Sequence, residues 1–528
     1  MSNKDQSILS NFFWIIIILL IATIFYNNYF SNASKETNNR NIVNSVLEEI
    51  QKNYVDSVNM DSLIESSVRQ ILTNLDPHSI YMTSDEVSSS MEMMQGSFEG
   101  IGIEFSIYKD TIIIVNVIPN GPSEKKGIQA GGRIVMIEGE KVAGIGIQNQ
   151  DVIKKLRGKK GTIVQIGIQN RRDTIINFID IKRGKIPLVS LDVAYEIAPQ
   201  IGYIKLNRFS ATTFKEFKAE LMKLKDQNNI NSLILDLRGN SGGYLDQAID
   251  ILNEFFDNNK LLVYTKGNAR KEIKYVSNHL GVFQDGEIHV LIDEGSASAS
   301  EIVAGAIQDH GRGVILGTRS FGKGLVQEQV PLEDGSLIRL TVSRYYTPSG
   351  RCIQKPYEDN QSEYFSETYL RNKDYIHKND SLNQFKTLDG RIVYGGGGIT
   401  PDYIIEANND SLPTEIVRLY ISDFFNDLAF NYVDSKRTQM ATINAIDFNI
   451  SETDQNKILE QSKRWLHAEL EELNNNNQLS AIINNHKAKI INRLSALIIR
   501  QYWGWSEMQI FLNQNDEIIT SSLSLLND

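Results

Sequence analysis

Ser298 and Lys323 are the two residues whose types and surroundings suggest covalent chemistry. Ser298 follows an apolar run at 288–292 that predicts a buried strand, and it begins a predicted helix at 298–308. A serine hydroxyl is a weak nucleophile unless a base takes its proton. A lysine amine can act as that base only when neutral, and burial lowers its pKa in the required direction. The sequence therefore predicts that Ser298 is a nucleophile and Lys323 its general base.

The neighbours of Lys323 in the chain favour a neutral amine. Gly322 and Gly324 flank it, and small residues let the backbone close over a side chain. Gln327 can accept a hydrogen bond from the amine without adding charge, whereas a carboxylate there would keep the lysine protonated. Gln327 is therefore predicted to orient the base.

The serine has structural explanations as well. Ser298-Ala-Ser-Glu301 has the form of a capping box, in which the serine does no more than cap a helix. Ser296 and Ser300 are alternative nucleophiles in the same turn. His310 is the first histidine after Ser298, but it stands at the far end of the helix, where we expect it to cap the C-terminus.

The lysine has alternatives of its own. An ion pair with Glu301 or Asp309 would hold Lys323 charged and exclude it as a base. Residues 317–323 also match the first seven positions of a phosphate-binding P-loop. However, Gly324 stands where that motif needs Ser or Thr, and the residues after it alternate like a strand rather than opening a helix.

The elements that must position the dyad follow an alternating α/β order. Strands are predicted at 201–206, 232–236, 288–292 and 314–316, and helices at 214–226, 245–256 and 298–308. Open α/β sheets bind ligands at the carboxyl edge of their strands. The glycine-rich loop at 238–243 lies between a strand and a helix, where free amides could bind a phosphate or a tetrahedral oxyanion.

Residues 96–184 have a different character, with short strands and one helix. The strands are predicted at 102–106, 111–117, 133–137, 163–169 and 174–181, and the helix at 149–156. Gly100, Ile101, Gly102 and Ile103 offer backbone amides on a glycine turn before a strand. Such a nest can bind the terminal carboxylate of a peptide that adds a strand to the sheet edge.

Composition limits the partners and cofactors. The formal net charge is −11 and no basic face stands out, which argues against a nucleic-acid partner. The single cysteine, Cys352, excludes an intramolecular disulfide and a cysteine-rich metal site, and there is no His-Glu-x-x-His motif. We therefore expect neither a metal nor another cofactor.

An apolar run at 12–26 lies near the N-terminus. A bilayer span usually takes about 20 residues, and neighbouring aromatic residues could extend the run to that length. A run of about 15 residues or fewer instead suits the core of a signal peptide. A buried globular helix is a further alternative. No clear cleavage site follows, so we expect an uncleaved anchor. Apolar residues at helical spacing predict helices at 36–94 and again at 412–528.

Several motifs together resemble the carboxyl-terminal processing proteases, also called tail-specific proteases. They are LDPHSIYM at 75–82, GIGIEF at 100–105, LDLRGNSGG at 235–243, GSASASEIVAGAIQDHGRGVILGTRSFGKGLVQ at 295–327, YYTPSGRCIQ at 345–354 and GGGGITPD at 395–402. The resemblance covers about residues 40–405. It implies an α/β, crotonase-like (ClpP/crotonase-type) serine protease core with an inserted PDZ domain.

The resemblance also implies roles for particular residues. Ser298 would be the nucleophile, Lys323 the base and Gln327 its partner. The amides of Ala299 and of Gly242 or Gly243 would form the oxyanion hole. The PDZ domain would bind protein substrates by free, apolar C-termini at residues 100–103.

The expected organisation has five parts. They are a membrane anchor or signal segment at 1–35, a helical region at 36–95, a PDZ domain at 96–184, a protease core at 185–410 and a helical region at 411–528. The family implies a bacterial inner membrane location with the catalytic part facing the periplasm, or secretion to the periplasm after signal cleavage. The C-terminal helices are expected to mediate either self-association into a homo-oligomer or the docking of a partner. A degenerate protease that only tethers peptides is the competing function.

Overall fold

The structure is a computed structural model of the 528-residue chain. It describes residues 23, 42–170, 174–357, 361–370, 383–405, 412–470 and 476–527. The apolar run at 12–26 lies outside these residues. Among the described residues, no helix has both the length and the apolar character needed to span a bilayer.

The chain divides into two compact units, residues 1–81 and 82–528. In the first unit, a helix at 42–53 precedes a helix at Met60–Thr73. The Asn59 side chain caps the second helix by accepting a hydrogen bond from the amide of Ser62. All features below belong to the second unit.

A first sheet is antiparallel and surrounds a small isoleucine-rich core. Its five main strands, in spatial order, are Ile103–Tyr108, Thr111–Val117, Arg133–Ile137, Ile163–Gln169 and Ile176–Lys182, and Glu140–Lys141 pairs beside the third. The helices Pro122–Lys125 and Asn149–Leu156 complete it. Ile103–Tyr108 is an edge strand, so an added strand could pair with it.

A two-stranded ribbon joins this first sheet to the rest of the chain. Ser97–Gly100 pairs antiparallel with Gly184–Pro187, so the chain enters and leaves through one ladder. The helix Ser84–Met94 precedes the ribbon and starts with a capping box formed by Thr83 and Glu86.

A central sheet of six strands carries the α/β pattern. The strands, in spatial order, are Leu191–Ala198, Ile201–Leu206, Ser232–Asp236, Glu287–Ile292, Val314–Gly317 and Tyr403–Ile404. The last five are parallel, and the first pairs antiparallel with the second. Parallel strands point their carboxyl ends to one edge, so the loops after Asp236 and Ile292 come together there.

The central sheet is covered on both faces. One face packs against the helices Thr213–Asn228, Leu245–Asn253 and Ala299–Asp309. The opposite face packs against the last helix, Glu517–Asn527, which buries Ile518 and Ile519. The C-terminal region is therefore part of the folded core.

A side sheet completes the architecture. Leu337–Tyr346 pairs antiparallel with Leu325–Pro331 and with Leu261–Lys266, which in turn pairs with Ile273–Val276. A helix at Gln361–Leu370 and a hairpin formed by Gln384–Lys386 and Ile392–Tyr394 follow. The sequence of residues 355–386 is charged and polar with little periodicity, which predicts a surface excursion, and the helix Gln361–Leu370 within it corrects that expectation.

The C-terminal helices, apart from the last one, form a core of their own around Phe425, Leu466 and Leu494. They span Thr414–Ile421, Phe424–Met440, Glu452–Glu469, Asn476–Asn485, Lys487–Tyr502, Trp505–Asn513 and Glu517–Asn527. The predicted helical character of this region is confirmed.

Candidate active site

Ser298 lies in a strained turn between the strand Glu287–Ile292 and the helix Ala299–Asp309. Its backbone has φ 55° and ψ −111°, a conformation that side-chain-bearing residues rarely adopt. Such strain persists only where the surroundings hold it, and it concentrates at functional sites. His310 occupies the C-cap position of this helix, where the sequence placed it, while its Nε2 lies 2.6 Å from the carbonyl oxygen of Leu261.

The two competing serines have structural hydrogen bonds. The Ser296 hydroxyl donates to the carbonyl of Leu237 at 2.8 Å, and the Ser300 hydroxyl donates to the carbonyl of Asn240 at 2.8 Å. Both side chains are fully buried, whereas Ser298 is half-buried. These bonds join the serine turn to the loop after Asp236, and Ser298 is the serine of the three that a substrate could reach.

The amine of Lys323 is 3.1 Å from Oε1 of Gln327, its proposed neutral partner. Neither alternative ion pair forms among the described residues, because Asp309 pairs with Arg351 at 2.7 Å and Glu301 binds main-chain amides. The flanking glycines are needed because the chain passes tightly here. A Cβ at Gly324 would lie 2.8 Å from a backbone nitrogen.

Glu301 ties the serine turn to the lysine loop. Its carboxylate accepts from the amides of Ser298, Gly322 and Lys323 at 2.7–2.8 Å, and from the Ser320 hydroxyl at 2.6 Å. Burial raises its pKa to about 7, although the four donors favour the charged form. The sequence suggested the capping interaction with Ser298, but not the contacts to the lysine loop.

Tyr345 provides a second link between the two segments. Its buried hydroxyl is 3.1 Å from the carbonyl oxygen of Ser298 and also donates to the carbonyl of Lys323. Burial raises the pKa of Tyr345 well above its usual value, so the phenol stays protonated. No local pattern in the sequence signalled this role.

The glycine loop at 238–243 lies directly against the nucleophile. Gly242 has φ +95°, and a Cβ there would lie 2.7 Å from the carbonyl oxygen of Ala297 and 2.8 Å from the amide nitrogen of Ala299. The Gly242 amide donates to Oδ1 of Asn240 at 2.9 Å. By contrast, the amides of Ala299 and Gly243 donate to no atom in the described part of the chain.

A buried ion cluster anchors the start of this loop. Asp236 is fully buried and binds the guanidinium of Arg238 at 2.6 Å and the amine of Lys205 at 3.3 Å. Burial alone would raise the pKa of Asp236, but these two cations hold it well below its usual value. Arg238 also pairs at 2.7 Å with Asp516, which lies just before the last helix.

The residues of the predicted carboxylate nest line a separate cavity of about 430 Å³. It lies between the edge strand Ile103–Tyr108 and the helix Asn149–Leu156. The carbonyl of Ile101 accepts a hydrogen bond from the amide of Ser123, and the carbonyl of Gly102 accepts one from the amide of Ile118. The amides of Ile101 and Gly102 themselves donate to no described atom. Gly102 has φ +78°, which suits glycine.

Among the described residues, no group of histidine, cysteine, aspartate or glutamate side chains could hold a metal ion.

Comparison with protein families matches two parts of the chain. Residues 200–360 match peptidase family S41, and residues 100–177 match the PDZ domain. The carboxy-terminal-processing protease of Bartonella bacilliformis is 36% identical over 313 residues, which cover 58% of this chain and 71% of that protein. The carboxy-terminal processing protease of Bacillus subtilis is 34% identical over 342 residues, 63% of this chain and 70% of that protein.

Among solved structures, the chain is similar to a photosystem II D1 C-terminal processing protease. That match has 24% identity, covers 71% of this chain and 90% of that chain, and has a TM-score of 0.36, too low to support further argument. The sequence relatives and the family matches lead to one conclusion: this mixed α/β chain with a PDZ domain is a serine peptidase and belongs to the carboxy-terminal-processing protease family.

Proposed function

We propose that this protein is an endopeptidase that binds the free, apolar C-terminus of a protein substrate in its PDZ domain and cleaves with Ser298 and Lys323. The observation that carries the proposal is the setting of the lysine. Its amine faces the neutral oxygen of Gln327, and its backbone is tied to that of Ser298 through Glu301 and Tyr345.

The reaction would proceed in two steps. Ser298 Oγ attacks the substrate carbonyl carbon while the neutral Lys323 amine takes the hydroxyl proton. Lys323 then gives that proton to the leaving amine as the peptide bond breaks, which leaves an acyl-enzyme. Water then attacks the ester carbon while Lys323 takes its proton, and Lys323 returns that proton to Ser298 Oγ as the ester bond breaks and the carboxylic acid product is released.

The amides of Ala299 and Gly243 are the proposed oxyanion hole. Both lack an acceptor in the described chain, and both adjoin Ser298 in sequence or through the glycine loop. Donors that are already fixed in place stabilise the developing negative charge without reorganisation. The amide of Gly242 is not proposed as a donor, because it is already bonded to Asn240. The role of Gly242 would be to let the loop lie close to Ser298, where a side chain would not fit.

The capture step relies on the nest at Gly100–Ile103. Two unused amides next to an edge strand suit a terminal carboxylate and an added strand.

The proposal also covers the organisation of the chain. Residues 1–35 would anchor the protein in the bacterial inner membrane, and residues 36–95 would form a helical region. Residues 96–184 would be the PDZ domain, 185–410 a crotonase-like core facing the periplasm and 411–528 a further helical region.

Cleavage of an unfolded protein with an apolar tail tests the dyad. The full-length chain should release fragments, while Ser298→Ala and Lys323→Ala should each reduce the rate by at least about a thousandfold. Lys266→Ala, at an exposed lysine, is the matched control and should be active. Full activity in Lys323→Ala would overturn the proposal, and tail binding without cleavage by the unaltered chain would favour a tethering module.

A second measurement tests capture. Amidation removes the charge of the substrate's terminal carboxylate and should weaken binding by about tenfold or more, because it takes away the group that the nest amides bind. Equal binding of free and amidated tails would contradict the proposed role of residues 100–103.

A further inference from the structure

The C-terminal helices are docked on the outer face of the PDZ sheet. The Tyr108 hydroxyl and the Asn431 amide group lie 3.0–3.1 Å apart, and the rings of Tyr108 and Phe430 are 4.8 Å apart. Arg133 pairs with Asp434 at 3.2 Å. These contacts fix the helix Phe424–Met440 against the sheet.

The same helices complete the peptide groove. The 430 Å³ cavity beside the edge strand is lined on one side by the PDZ helix residues Ile153 and Leu156, and the C-terminal helices add Leu497, Arg500 and Gln501. The groove therefore has a second wall, which the PDZ domain itself does not supply.

Strand geometry assigns substrate side chains to the two walls. In a strand, successive side chains point to opposite faces of the sheet. In the edge strand, Ile103, Phe105 and Ile107 turn toward the PDZ core, while Glu104 and Ser106 turn away from it. A tail with its carboxylate at the nest would place its last and third-last side chains toward the PDZ helix. Its second-last and fourth-last side chains would face the C-terminal helices.

The charges on the second wall favour an acidic side chain. The guanidinium of Arg500 lies 4.8 Å from the ring centroid of Trp505, and no described carboxylate pairs with it. The other cation that lines the cavity, Arg157, is already paired with Glu92 at 2.5 Å. Glu104 would lie beside the second-last residue of the tail and disfavour an acid there, whereas the fourth-last residue would lie beside Ser106.

We infer that the C-terminal helical region is a specificity element of the protease: Arg500 selects an acidic side chain at the fourth-last position of the substrate tail. This inference rests on the proposed capture of C-termini by the PDZ domain. It assigns a recognition function to a region outside the family matches at 100–177 and 200–360.

Binding of three labelled peptides tests the inference. Each is an eight-residue alanine peptide that ends in leucine and carries a fluorophore at its amino end. The first has Glu at the fourth-last position, the second has Gln there, and the third has Glu at the third-last position. Fluorescence anisotropy with the full-length chain carrying Ser298→Ala measures affinity without cleavage.

The first peptide should bind about two- to fivefold more tightly than either of the others, since an exposed ion pair has an effect of that size. Raising the salt concentration should reduce the difference. Arg500→Gln should abolish the preference, so that the Glu and Gln peptides bind that variant equally. Arg493→Gln, at an exposed arginine on the same helix that stacks on Tyr420, should keep the preference.

The outcomes separate this inference from the proposed function. If a free tail binds more tightly than its amidated form but Glu and Gln bind equally, the inference is wrong and the capture of C-termini stands. A preference that persists in Arg500→Gln also overturns it. If free and amidated tails bind equally, the capture proposal fails and the inference fails with it.

Discussion

The main-chain amides of Ser298 and Lys323 donate to the same oxygen atom, Oε2 of Glu301, each at 2.8 Å. The residues are distant in the sequence and belong to different elements, a helix start and a glycine loop. A single buried carboxylate therefore sets the spacing between the two segments that carry the proposed nucleophile and base.

Glu301→Gln should lower kcat by about 10- to 100-fold, because a displacement of about 1 Å in a catalytic group can cost a hundredfold in rate. The side-chain amide has one oxygen and two hydrogens, so it cannot accept from all three backbone amides. KM should change little, since the peptide groove lies elsewhere. Steady-state kinetics, with the exposed Glu333→Gln as control, check this expectation. Unchanged kcat in Glu301→Gln would contradict the positioning role.

Tyr345→Phe should destabilise the site without creating a cavity. The change removes only the hydroxyl that bridges the carbonyls of Ser298 and Lys323, which should cost about 1–3 kcal/mol of unfolding free energy and reduce kcat. Tyr346→Phe is the adjacent control, because that ring stacks on Tyr264 and is away from the dyad. Denaturant unfolding and kinetics measure the two effects, and equal behaviour of both variants would refute the bridge.

Gly242→Ala should abolish cleavage. Its Cβ would lie 2.7–2.8 Å from Ala297 and Ala299 backbone atoms, so the loop or the nucleophile turn has to move. Gly239→Ala is a closely matched control on the same loop: its φ is also positive, at +71°, but a Cβ there meets nothing within 4 Å. We expect Gly239→Ala to show only the roughly 1 kcal/mol cost of backbone strain and to cleave at near the normal rate. Similar losses in both variants would mean that strain, rather than contact with the site, is responsible.

Local patterns predicted much of the fold. The strands Arg133–Ile137, Ile163–Gln169 and Ser232–Asp236 lie where the apolar periodicity placed them, because each is bounded by turn residues and buries a regular set of side chains. The helix that follows Ser298 was also predicted within one residue. These elements depend mainly on their own sequences.

What the sequence did not indicate depends on contacts between distant residues. The strands Leu191–Ala198 and Leu261–Lys266 have mixed patterns and are defined by their pairing with other strands. Glu301 resembled a local cap, yet three of its four bonds reach the lysine loop. The C-terminal helices were recognised as helices, but their docking on the central sheet and on the PDZ sheet could not be seen in their periodicity.

Acid should loosen the contact between the central sheet and the last helix through His289. This side chain is 1% exposed, its Nδ1 is 2.8 Å from Oγ of Ser522, and Glu287 is too distant, at 3.9 Å, to hydrogen-bond its Nε2. Burial lowers the pKa of His289 to about 4.

The sign of the pH effect follows from this lowered pKa. The unfolded chain binds a proton at this histidine below about pH 6.5, while the folded chain does so only near pH 4. The free energy of unfolding should therefore fall as the pH drops through this window, by about 2 kcal/mol between pH 7 and pH 5. His289→Gln should remove that part of the pH dependence, whereas the exposed His467→Gln should retain it. Denaturant unfolding of the three proteins at pH 7 and pH 5 measures these differences. Because the other titrating groups are the same in all three proteins, their contributions cancel in the comparison. An identical pH dependence in all three would show that His289 is not the group responsible.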